Sequence, residues 1–158
     1  MDYKQLIEIA FEMRENAYAP YSGFKSGAAL LTADGDVFTG CNIEVASFTP
    51  SVCAGHSAFI NAISNGVKNF KALAIVGGAD DSDEFDYCPP SGVCRQVIQE
   101  FCNPEEFVVI LARNINDFAV YTFEDIFPIA FSKKTLIGWL FLKKAHIYLT
   151  IILFYAII

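Results

Sequence analysis

Two short stretches of this chain carry residues able to do chemistry: Ser51-Val-Cys-Ala-Gly-His56 and Pro90-Ser-Gly-Val-Cys-Arg-Gln96. Each falls where a helix is predicted to begin. Cys53 and Cys94 therefore sit near positive dipole ends, which favour thiolates. Two such helix starts can bring their sulfurs to one metal ion. A zinc ion held there with its fourth position open lowers the pKa of bound water toward about 7 and supplies hydroxide for hydrolysis. His56 lies three positions beyond Cys53, and His is a common zinc ligand; an exposed or simply packed ring is the plainer reading. The cysteines number five, at 41, 53, 88, 94 and 102, an odd count. Metal ligation or buried free thiols are expected ahead of disulfides.

The elements that must position these residues are legible from periodicity and turn signals. Leu6, Ile9, Ala10, Met13 and Ala17 recur at helical spacing and predict a helix over 2–18, ended by Pro20 and Ser22-Gly23. The runs 28–32 and 37–42 flank Asp34-Gly35, a hairpin signal. A second helix is predicted over 51–64, stopped by Asn65-Gly66, and a strand over 70–76. An acidic loop fills 77–90, followed by a helix over 91–101, a strand over 107–112 and a shorter strand over 118–121. Thr122-Phe-Glu-Asp125 resembles a capping box. This order predicts an α/β fold: one domain, a mixed sheet with helices on its faces.

Composition narrows the function classes. Hydrophobic residues make up 54% of the 158, and the net charge is −7. All 18 acidic residues precede Ser132, whereas Lys133, Lys134, Lys143 and Lys144 lie beyond it. An acidic body lacks the basic surface that displaces counterions from nucleic acid, so no nucleic-acid partner is expected. A small, nearly neutral substrate is easier to accommodate. Met1-Asp-Tyr-Lys opens an amphipathic segment, not the apolar run of a secretory signal, and a cytoplasmic location is expected.

The two stretches resemble the frame of the zinc deaminases, in which a His or Cys, one spacer and a Glu begin one helix and Pro-Cys-x-x-Cys begins another. Further runs sharpen the likeness: Tyr18-Ala-Pro-Tyr-Ser-Gly-Phe24, Gly27-Ala-Ala-Leu30, Gly40-Cys-Asn-Ile-Glu44 and Tyr121-Thr-Phe-Glu-Asp-Ile-Phe-Pro128. Taken in order, they make residues 1–131 similar to the short, homotetrameric cytidine deaminases. The resemblance implies zinc-dependent hydrolytic deamination of cytidine or deoxycytidine, in pyrimidine salvage, by a homo-oligomer. It implies zinc ligands at Cys53, Ser91 and Cys94, and a general acid/base at position 55. It assigns Asn42 and Glu44 to the sugar of a pyrimidine nucleoside, and Phe24 and Ala54 to the substrate pocket. Asn42 and Glu44 alternate along a predicted strand and would point the same way.

Two departures bear on activity. Gly55 stands where the resemblance places the Glu, and glycine transfers no proton. Ser91 stands where it places a thiolate, and a neutral hydroxyl is a poor zinc ligand. His56 replaces an arginine that would offset thiolate charge, and Ser26 replaces a valine. The changes at 55, 91 and 56 (Glu to Gly, Cys to Ser, Arg to His) are each reachable by a single-nucleotide step, a pattern that suits a decaying gene or accumulated errors at least as well as selected new chemistry. Severely impaired deamination is expected, and the alternative is a catalytically dead nucleoside-binding or scaffolding protein. Cys88, beyond Pro89-Pro90, is a poor substitute for Ser91 because the prolines restrict the backbone. Arg95-Gln96 reads as structural support. The likeness stops at Phe131. The segment 132–158 reads as a frameshifted or read-through end, or as a membrane-associating anchor; 145–158 is shorter than the ~20 residues a spanning helix needs. Its β-branched and aromatic residues make it an aggregation hazard.

Overall fold

A computed structural model describes residues 1–82 and 84–137, and the segment beyond 137, which carries most of the tail reading, lies outside the described residues. Five strands form one sheet: β1 (Phe24–Thr32), β2 (Val37–Cys41), β3 (Phe70–Ala79), β4 (Val108–Asn114) and β5 (Asp117–Thr122). Their spatial order is β2-β1-β3-β4-β5. β1 pairs antiparallel with β2 and β3, β3 pairs parallel with β4, and β4 pairs antiparallel with β5. The helices within 1–128 are α1 (Tyr3–Arg14), α2 (Ala54–Ser64), α3 (Gly92–Phe101) and the single turn α4 (Phe123–Ile126).

The sheet is mixed and carries helices on both faces, as expected. Residues Met1–Pro128 form one compact unit and the segment from Ile129 onward another. Among the described residues, no helix is long and apolar enough to cross a membrane.

Alternation along the central strands divides the core in two. Ala28, Leu30, Leu73, Ile75, Val109 and Leu111 face α2, α3 and α4, whereas Ala29, Leu31, Ala72, Ala74, Val76 and Ile110 face α1. Burial on both faces explains why these strands read as continuous apolar runs. Phe59 of α2 anchors the first core, with Phe70, Phe101 and Phe107 within 6.3 Å of its ring centre. The α1 core is built mostly from alanine and aliphatic side chains.

Two glycines set how closely helices approach the sheet. A Cβ on Gly27 would lie 2.1 Å from the Ala10 carbonyl oxygen of α1, and one on Gly40 would lie 2.2 Å from the Ala58 nitrogen of α2. Backbone therefore rests directly on backbone at both contacts. The hairpin turn closes as predicted, with Gly35 at φ 98°. α4 begins with the predicted capping box: Asp125 N donates to Thr122 Oγ1 at 3.3 Å and Thr122 N donates to Asp125 Oδ2 at 2.9 Å.

Four boundaries differ from expectation by three residues or more. β1 begins at Phe24, four residues before the predicted run, because β3 pairs with it that far back. α1 ends at Arg14, and the following residues cross to the segment just beyond β2, where Tyr18 N donates to the Asn42 carbonyl. α2 starts at Ala54, with Cys53 as its extended N-cap. β3 runs on to Ala79, three residues into the predicted loop, because β1 pairs with it as far as Phe24–Ala79.

Candidate functional site

The topology brings both helix starts to one end of the sheet. β2 and β3 both run antiparallel to β1, so they point the same way, and β4 is parallel to β3. α2 follows β2 and α3 follows β3. Their N-termini therefore open beyond the same strand ends, the usual place for a ligand crevice in such sheets. A cavity of about 370 Å³ lies there, lined by Phe24, Asn42, Glu44, Cys53, Gly55 and Ser91 among others. A larger groove of about 690 Å³ beside α1 is lined by Glu8, Glu12, Phe85 and Arg113, away from both sequence stretches.

At one end of the cavity the polar side chains hold neighbouring backbone. Asn42 Oδ1 accepts from Ser26 N at 2.8 Å, and its Nδ2 donates to the Phe24 carbonyl at 2.8 Å. The amide thus clamps the start of β1. The Glu44 carboxylate accepts from Tyr21 N at 2.9 Å and Ser22 N at 3.2 Å, and from the Ser22 hydroxyl. These bonds, the Ser22 hydroxyl foremost, hold its carboxyl below the usual Glu range. The sequence placed Asn42 and Glu44 on one strand; β2 ends at Cys41 and both lie beyond it. Ile43 between them makes isolated bridges to Tyr18 and Val52, and this pairing keeps the segment extended after the strand has ended. Phe24, at the first position of β1, lies with its ring edge beside Gly77. Ala54 is buried, at 2% exposure, in the first turn of α2.

The other end holds the sulfurs. Cys53, the N-cap of α2, and Cys94, in the first turn of α3, are joined as a disulfide with their Cα atoms 6.9 Å apart. This corrects the expectation that metal ligation or free thiols would precede disulfides for these two. The physical reason is convergence: the fold delivers both sulfurs to one point, and no third thiolate stands between them. Cys41, Cys88 and Cys102 are free, and burial pushes each of their thiols up.

Ser91 is the N-cap of α3. Its hydroxyl accepts from Cys94 N at 3.4 Å and donates to Cys53 Sγ at 3.7 Å. Gly55 faces the core side of this corner. A Cβ there would lie 3.3 Å from Leu73 Cδ2 and 3.7 Å from Cys94 Sγ. His56 is half-buried and lines the cavity.

The donor set does not fit a zinc ion. It offers two sulfurs bonded to each other and one neutral hydroxyl, and disulfide sulfur is no substitute for thiolate. Among the described residues, no group of three His, Cys, Asp or Glu side chains is placed to hold a metal. Cys88 does not complete the set, because its sulfur packs against Gly77 of β3.

Residues 1–111 match the family described as the cytidine and deoxycytidylate deaminase zinc-binding region. The chain belongs to this family. A cytidine deaminase of Sporosarcina psychrophila is 43% identical over 136 residues, 86% of this chain and 96% of its own length. One from Halalkalibacterium halodurans is 40% identical over 134 residues, 85% of this chain and 97% of its own. The crystal structure of cytidine deaminase from Burkholderia pseudomallei superposes with a TM-score of 0.74 at 42% identity, covering 83% of this chain and all of that one. For a deaminase-family chain, the residues that sequence reasoning missed are those that tie the pocket down. Tyr21 and Ser22 hold Glu44. The only advance signal for Tyr21 and Ser22 was their membership of a motif run. Arg95, read from the sequence as structural support, donates from Nε to the Pro90 carbonyl at 2.8 Å, and its guanidinium also reaches the Ile126 carbonyl.

Proposed function

We propose that this cytidine deaminase-family chain binds a pyrimidine nucleoside and that its deamination of cytidine or deoxycytidine to the uridine product and ammonia is severely impaired or lost. One observation carries the reading: the sulfur end of the cavity lacks both a third metal donor and a proton-transfer group at Gly55. General acid–base groups typically contribute about 10²–10⁴ in rate, and in hydrolytic deamination one carboxylate serves more than one proton transfer. Removing the metal's activated water as well compounds the loss.

The nucleoside-binding half of the proposal is favoured by the intact opposite end. Glu44 keeps a carboxylate facing the cavity, and Phe24 and Ala54 keep an apolar wall. The 370 Å³ cavity is of the size that ligand pockets take. A cytoplasmic homo-oligomer acting on small molecules is consistent with this assignment.

The test is zinc per chain and cytidine turnover in the purified protein, alongside Ser91→Cys and Gly55→Glu/Ser91→Cys. Turnover should be undetectable in the unmodified chain and at least about 10²-fold higher in the double variant, with near-stoichiometric zinc only in the two variants that carry Ser91→Cys. Zinc-dependent turnover by the unmodified chain would overturn the proposal. Calorimetry with uridine tests binding separately from chemistry.

A further inference from the structure

The two cysteines that a metal would hold apart are bonded to each other, at the corner where two helices must be tied together. We propose that the Cys53–Cys94 disulfide is a redox-switched tie that takes over the structural task of a metal ion in this chain, fixing the start of α2 to the start of α3 when oxidised and releasing it when reduced.

Three features support the tie. Each cysteine belongs to the first turn or cap of its helix, so the bond joins the two points where the chain turns from loop into helix. The bond closes a loop of sequence separation 41, which encloses α2, β3 and the acidic segment before α3. Linking residues so far apart removes much of the unfolded chain's freedom. The Ser91 hydroxyl adds only a long 3.7 Å contact to Cys53 Sγ across this corner, so reduction leaves it weakly held.

Access is unequal, which sets the order of exchange. Cys53 is half-buried and lines the open cavity, whereas Cys94 is 3% exposed. Starting from the two thiols, the deprotonated Cys53 sulfur attacks a low-molecular-weight disulfide, RSSR. A Cys53–SR bond forms, the RS–SR bond breaks, and one RS⁻ leaves. The deprotonated Cys94 sulfur then attacks the Cys53 sulfur and expels the second RS⁻. The protein loses two electrons and two protons, and RSSR becomes two RSH. A small dithiol runs the same steps backwards. Cys88 lines the same cavity but its sulfur is packed against Gly77, out of this exchange.

This tie does not depend on the nucleoside reading, because thiol counting needs no ligand. The full-length chain, purified in air, is denatured and alkylated before and after treatment with a phosphine reductant. Three of its five cysteines should label before reduction and all five after, with a Cys53–Cys94 cross-linked peptide in the unreduced digest. The reductant should lower Tm by roughly 10 °C, while a zinc chelator leaves it unchanged. The Cys53→Ser/Cys94→Ser variant should melt at the reduced value and ignore the reductant. Five labelled thiols in the unreduced chain would overturn the proposal, as would a Tm that falls with chelator and not with reductant. Should the double variant fail to fold, the thiol count on the unmodified chain still decides.

Discussion

The two ends of the cavity differ in what their residues do besides chemistry. At one end Asn42 clamps Ser26 and Phe24 of β1, and Glu44 gathers the Tyr21–Ser22 turn. These side chains are part of the fold, and losing one leaves backbone groups unpaired. At the other end Gly55 carries no side chain and Ser91 now caps α3 through Cys94 N. Nothing in the packing requires a carboxylate at 55 or a thiolate at 91. The fold therefore resists change where a residue serves both structure and ligand, and permits it where a residue serves only the reaction.

The comparison breaks most sharply if the sulfur end cannot be restored, which makes the Gly55→Glu/Ser91→Cys variant the measurement of largest expected effect. It should gain turnover at a stability cost no larger than that of losing the Ser91 cap, about 1 kcal/mol. The Cβ at 55 needs only a few tenths of an ångström from the flexible tip of Leu73. Next comes the platform itself. Gly40→Ala drives a methyl into the α2 backbone and should cost about 3 kcal/mol or more in chemical denaturation. Asn42→Ala removes two hydrogen bonds and should cost about 2–3 kcal/mol; a change below about 0.5 kcal/mol would show the amide to be free for ligand alone. Ser91→Ala loses a helix cap and should cost about 1 kcal/mol, visible as a small Tm shift.

Glu44→Gln sharpens the comparison through pH. The folded carboxyl titrates below its ordinary value of 4.5, so the unfolded chain binds protons first as pH falls. Its stabilisation is present above about 4.5 and is lost as pH falls through the folded value. The acid limb of a Tm–pH profile should therefore be shallower in Glu44→Gln than in the parent, with the two profiles parallel above about pH 6.

Much of this was readable from the chain. The apolar runs of β1, β3 and β4, the Asp34-Gly35 turn and the Thr122–Asp125 capping box rest on local rules, and the fold obeyed them. Cys53 and Cys94 were legible as partners at one point, because helix starts following parallel strands converge. That they bond to each other was not legible: spacing shows where sulfurs meet, and the donor between them decides what they form. The structural duties of Asn42 and Glu44 were hidden for a related reason. Their partners Ser22, Phe24 and Ser26 lie far back in the sequence, and the extended segment carrying them continues past the end of β2 only through Ile43 bridges.

The loop closed between Cys53 and Cys94 has a mechanical side. It encloses β3, the strand held between β1 and β4, together with α2. A chain drawn from either end would lengthen without the loop of sequence separation 41 between the two cysteines, about 140 Å of extended backbone. A motor threading the polypeptide would meet a doubled chain at this knot and would have to admit two strands abreast or stall. In its oxidised form, the centre of this sheet is the part of the molecule that pulling reaches last.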